Sequence, residues 1–380
     1  MLRWTAPGGD GREGTAAAYD LRHALTPIES ESWDSATVVT GLSVPKTAGS
    51  TETFSVTGLV RSESYFFALE SIDKSEQRSG LSNVVSARTR SLLRLTSSPH
   101  PSGAYDPDWS PDGERIAFIA DWQQRFHGQV YVMTSSGGGT RRLTNVEEGA
   151  RAPRWSPDGS RLAFGSRHAV GSQTVEDIAI VNPDGGGDAT VIATLGNSVT
   201  ISALSWSPDG TVIACALRDL LVLGPQIYLV EASGGTPELL GGGAGAIGLD
   251  WSPDGSRIVF ASIENQDYGI WVLPATGGVP MRLTTSSTVE FAPSWSPDGE
   301  RIAFTSSRGG TQQLWVMSTT GENLMRLTAE TGDELSQTWS PDGDRIAFNR
   351  VSNQIFDIWV LYLDPAVASN RGRSGTQAVR

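Results

Sequence analysis

From about residue 92 onward, apolar residues fall in short runs separated by Gly, Pro, Asp and Ser, and no stretch shows the three-to-four spacing of an amphipathic helix. The runs recur. Trp-Ser-Pro-Asp-Gly occurs six times, beginning at Trp109, Trp155, Trp206, Trp251, Trp295 and Trp339. Each copy is followed by an apolar run such as Arg115-Ile-Ala-Phe or Arg345-Ile-Ala-Phe. A strand–turn–strand unit is predicted at each: Pro presets the first turn position, and Gly accepts the positive φ that closes the hairpin. A third strand follows, as in Val130-Tyr-Val-Met or Leu314-Trp-Val-Met, then a Gly-rich turn and a fourth strand such as Arg142-Leu-Thr or Arg326-Leu-Thr. Four strands in a unit of about 45 residues describe a propeller blade.

Counting predicts how the ring closes. Six copies of strands one to three are followed by only five copies of strand four, and the sixth lies upstream at Leu93-Arg-Leu-Thr. That segment is expected to complete the last blade, which removes an exposed strand edge. The fold class is therefore all-β: a six-bladed β-propeller with four-stranded blades over residues 91–364. The repeats, through Arg-Leu-Thr, Trp-Ser-Pro-Asp-Gly, Arg-Ile-Ala-Phe and Ile-Trp-Val, resemble the TolB-like propellers, relatives of the WD-repeat propellers. That resemblance implies a fold, together with roles that range from periplasmic binding subunits to domains beside peptidases.

Residues 1–90 read differently. Strand-like runs begin at Leu2, Ala17, Thr53, Tyr65 and Ser82. With Trp4, Tyr19 and the Leu59…Tyr65 pair they resemble a fibronectin type III sandwich. A first strand upstream of Trp4 has no room, so an incomplete sandwich is expected, and with it a chain that is a fragment of a longer protein. Residues 365–380 are small, polar and basic and are expected to be a disordered tail.

Composition narrows the function classes. A net charge of -13 argues against nonspecific nucleic-acid binding, which needs clustered Lys and Arg. Nowhere do about 18 apolar residues run together, so no membrane insertion is expected. A single cysteine, Cys215, excludes an intrachain disulfide and a Cys-based zinc site, and its apolar surroundings predict core packing. The four His are scattered and no Gly-x-Ser-x-Gly elbow exists, so neither a metal site nor a cofactor is expected. The letters Gly-x-Gly-x-x-Gly at 243–248 precede a strand rather than a helix and do not read as a dinucleotide loop.

The repeat accounts for nine of the twelve Trp, and Trp4 and Trp33 belong to the N-terminal piece, which leaves Trp122 without a repeat counterpart. Aromatic and Arg residues on the loops of a rigid ring are what a binding hot spot uses. The expected contact set is Trp122, Arg125, Phe126, Arg151, Glu290 and Phe291, and the expected partner is a protein or peptide. The functional expectation is a non-catalytic binding or scaffold module, extracellular or periplasmic. Two alternatives compete with it: a propeller that binds or cleaves glycans through Glu290 and Glu334, and a structural spacer in a large surface protein.

Overall fold

The computed structural model describes residues 2–6, 15–54, 56, 59, 64–88, 92–97, 103–122, 127–185, 188–197, 199–219, 226–241, 246–264, 267–285, 288–328 and 332–363. Two compact units divide the chain, Met1–Ser91 and Leu92–Arg380.

In the second unit, six antiparallel sheets of four strands each follow one another. Blades 1 to 5 span residues 104–142, 150–196, 199–241, 246–282 and 290–326. Blade 6 takes three strands from residues 333–362 and its fourth, Leu92–Arg94, from the other end of the propeller. The innermost strands neighbour one another in a cycle, and that of blade 6 contacts that of blade 1, so the ring is closed. Each blade interior is apolar. Phe118, Phe164, Phe260, Phe304 and Phe348 are fully buried at equivalent positions, with Cys215 in the blade 3 slot. Burial pushes the Cys215 thiol up to about 12, as befits a side chain that only packs.

The hairpin signature does more than turn the chain. In every copy the Ser hydroxyl donates to the Asp carboxylate, at 2.5 to 2.6 Å, and accepts the N–H of the first residue of the next strand. The Gly sits at φ of 70° to 73°, the left-handed region that favours a residue without Cβ. In five blades an Arg at or just before the start of the second strand then reaches the next blade. Arg115 lies over Trp155 at 4.6 Å, Arg161 over Trp206 at 4.9 Å, Arg257 over Trp295 at 4.9 Å and Arg301 over Trp339 at 5.6 Å. Arg345 closes the cycle over Trp109 at 4.5 Å. Blade 3 carries Val212 in place of the Arg and packs it near Trp251. Five cation–π contacts thus stitch a ring whose sheets share no backbone ladder.

The fourth strands end earlier than Arg-Leu-Thr suggests. Blade 1 keeps only Arg141–Arg142 as strand, although Leu143 still donates to Val130 O at 2.8 Å. At the next step the Thr144 hydroxyl, not a backbone carbonyl, accepts the Val130 N–H at 2.9 Å. Thr284, Thr328 and Thr96 do the same for Ile270, Leu314 and Ile358. The side chain takes over the ladder and stops it.

The first unit holds a two-stranded sheet, Leu2–Thr5 with Thr51–Phe54, and a four-stranded one in the order Thr37–Val38, Ala18–Ala24, Ser64–Ile72, Val85–Arg88. A 3-10 turn at Ser30–Ser35, which the apolar pattern does not announce, buries Trp33 beneath Arg22. Trp4 meets Tyr19 edge-on at 5.5 Å, and the Tyr19 hydroxyl donates to the buried Glu52 at 2.6 Å, so the two sheets face each other. Residues 364–380, which hold the expected tail, lie outside the described residues.

Candidate functional site

The residue just before each repeat Trp is polar in all six copies: Asp108, Arg154, Ser205, Asp250, Ser294 and Thr338. Polar residues that recur at one register of the innermost strands must meet either one another or water. They meet around the propeller axis. Asp108 accepts the Trp155 N–H of the next blade at 2.7 Å and faces the Thr338 hydroxyl of blade 6 at 3.4 Å. Asp250, from the opposite side of the ring, accepts the N–H groups of Trp251 and Trp295 at 3.0 and 2.8 Å and the Ser205 hydroxyl at 3.0 Å. Arg154 pairs with Asp106 at 3.2 Å, and each retains about a fifth of its side-chain exposure. The channel is therefore charged, deep and partly wet.

Burial pushes the Asp108 carboxyl up to about 7, against the pull of Arg154 and the Trp155 N–H. It raises Asp250 as well. Burial also opposes the Arg154 cation, but Asp106 and Asp108 outweigh it. Three carboxylates thus share one guanidinium. Between about pH 4 and 7 the folded state holds a proton on Asp108 that the unfolded chain has lost, so stability falls as pH rises through that window. Asp108→Asn removes the penalty and still offers an oxygen to Trp155. In urea denaturation its stability should match the parent near pH 4 and exceed it at pH 8, by about 1–3 kcal/mol once channel water is allowed for. An equal difference at both pH values would refute the assignment.

Two places further upstream stand Asp106, Ala152, Ala203, Gly248, Ala292 and Ser336, five of them small. The first strands are bulged at this point in blades 1, 2, 5 and 6 and one residue earlier in blades 3 and 4. Asp106, Ala152, Ala292 and Ser336 there take φ between 48° and 54°. Left-handed backbone disfavours branched and bulky side chains.

Among the described residues, the expected contact set is not an exposed patch. Glu290 is fully buried. It pairs with Arg308 and accepts the Thr284 hydroxyl of blade 4. Glu334 repeats this one blade on, with Arg350 and Thr328. Neither is a rim acid, which removes the pair of carboxylates proposed for glycan cleavage. Arg151 forms an ion pair with the buried Glu176 at 3.1 Å, and Phe291 packs against the blade 4–5 core. Arg125 and Phe126 lie outside the described residues.

Trp122 has a counterpart after all. It stands four residues after Phe118, as Arg308 stands four after Phe304. Its ring lies 5.6 Å from Phe118 and 4.9 Å from Tyr131. The Arg308 guanidinium lies 5.7 Å from Phe304 and 5.3 Å from Trp315. Where blade 5 buries Glu290 against Arg308, blade 1 has Ala104 near Trp122, an apolar replacement for a buried ion pair. Among the described residues no group of three or more His, Cys, Asp or Glu is placed to hold a metal ion, and no helix is long and apolar enough to cross a membrane.

The family described as the TolB beta propeller domain matches residues 70–218 and 177–370. A Tol-Pal system protein TolB of Anaeromyxobacter dehalogenans is 34% identical over 116 residues, 29% of this chain and 24% of that protein. An uncharacterised protein of Agrobacterium fabrum is 35% identical over 79 residues, 20% of this chain and 26% of its own length. The matches thus span about a quarter of each relative. Among solved structures, TolB from Acinetobacter baumannii superposes with a TM-score of 0.53 at 18% identity, over 79% of this chain and 77% of that one, and shares the fold.

Proposed function

This chain belongs to the TolB beta propeller domain family, and from that premise we propose that it is a non-catalytic, protein-binding module of the cell envelope or the extracellular space. The partner is a protein or peptide segment received where the axial channel opens. The observation that carries this reading is the channel itself. Its carboxylates are held in place by backbone N–H groups and a guanidinium, a fixed polar surface that suits recognition of a polar segment. Relatives that bear the name of a Tol-Pal system component agree with a life among other proteins. For the first unit we favour a sandwich of the fibronectin type III kind acting as a spacer. Its support is the pairing of a two-stranded with a four-stranded sheet across Trp4 and Tyr19.

The test is affinity capture from an envelope extract, with quantitative mass spectrometry, comparing the parent chain with Arg154→Ala and Asp250→Asn. A partner retained by the parent and depleted at least tenfold by either variant supports the reading. Identical retention by all three chains refutes the channel as the site.

A further inference from the structure

Blade 1 is packed differently from blade 6 at two neighbouring positions. In blade 6 Arg350 stands two residues after Phe348 and lies over Trp359 at 4.7 Å, and Trp359 is the cross-strand partner of Phe348. In blade 1 the same places hold Ala120 and Tyr131, the latter opposite Phe118. Both side chains are smaller than their blade 6 counterparts, and a cavity of about 730 Å³ borders both.

The cavity wall is fixed on one side. Gln129 donates to Val146 O at 2.8 Å and accepts the Thr144 hydroxyl and the Val146 N–H, both at 2.9 Å. Other lining groups are unspent. Among the described residues the Tyr131 hydroxyl and the carboxylates of Glu147 and Glu148 have no protein partner. Asn145 uses only its oxygen, toward Arg142, and His127 only Nδ1, toward Glu147 O. The cavity therefore offers acceptors and donors together, beside an aromatic ring.

We propose that this cavity binds a neutral saccharide. A largely polar lining disfavours an apolar ligand, since an apolar surface placed there would leave polar groups unpaired. Two carboxylates against one guanidinium disfavour an anion. Sugar hydroxyls both donate and accept: they satisfy Glu147 and Glu148 as donors, and Asn145 Nδ2 and the Tyr131 hydroxyl as acceptors. The site is separate from the axial channel and uses none of the buried acids of blades 5 and 6.

Saturation-transfer NMR on the full chain, with glucose, galactose, N-acetylglucosamine and their disaccharides at millimolar concentration, provides the test. At least one should show transfer that a titration fits to a single site. Glu147→Ala and Glu148→Ala should weaken it about tenfold, the usual effect of losing one hydrogen bond to a charged group. Tyr131→Phe should weaken it while keeping the ring packed on Trp122 and Phe118, with an unchanged thermal midpoint. Absence of transfer from every sugar, transfer that all three variants leave intact, or binding of 1,5-diaminopentane in place of the sugars would each overturn the proposal.

Discussion

Glu334→Ala should destabilise the propeller by about 3–5 kcal/mol, the cost of stranding one member of a buried ion pair. For a domain of this size that lowers the thermal midpoint on the order of 10 °C. The carboxylate is fully buried, bound by Arg350, by the Thr328 hydroxyl of the preceding blade and, at 3.4 Å, by the Leu314 N–H. Removing it leaves the guanidinium of Arg350, itself 7% exposed, without a counter-charge. The loss comes from the orphan, not from the attraction. Glu334→Ala with Arg350→Ala should therefore cost less than the sum of the two single changes. Blade 1 supports this, because alanines already occupy both equivalent positions, Ala104 and Ala120. Urea denaturation of the two single variants and the double variant closes the cycle. Additive losses would show that the charges do not depend on each other.

The same pair explains which parts of the molecule were legible in the sequence. Strand count, blade count and the closing segment follow from a repeat whose hairpin chemistry is local, with Ser, Asp and Gly within three residues of one another. The fate of Glu290 and Glu334 is not local. Their partners Arg308 and Arg350 lie across a strand pair, 18 and 16 residues away, and the threonines that bond them come from another blade. Acids at strand starts look like rim charges until cross-strand register is known. Trp122 looked singular for the same reason, because its equivalent in blade 5 is an Arg and the likeness lies in what each side chain covers. The axial row was legible, since all six residues before the repeat Trp are polar. Two positions upstream, a left-handed bulge favours unbranched residues in four of the blades.

The second large effect concerns closure. Leu95→Pro with Thr96→Val should cost about 3–5 kcal/mol, from lost bonds and an acceptor left bare. The Leu95 N–H donates to Ile358 O at 2.8 Å, and the Thr96 hydroxyl accepts the Ile358 N–H and donates to Asp357, both at 2.9 Å. The fair comparison is Leu143→Pro with Thr144→Val in blade 1, which deletes chemically equivalent bonds to Val130. There the fourth strand stays tethered to the third by a short turn, and the damage stays local. In blade 6 the fourth strand lies 262 residues from the strand it completes, so detachment unclasps the first blade from the last and bares the edge of Ile355–Tyr362. An unpaired edge invites pairing with a second chain. The blade 6 variant should thus form concentration-dependent oligomers in light scattering, and the blade 1 variant should remain as the parent is. Equal stability losses without association in either would mean that the ring is held by its Arg–Trp stitches alone and that the shared blade adds no more than an ordinary strand.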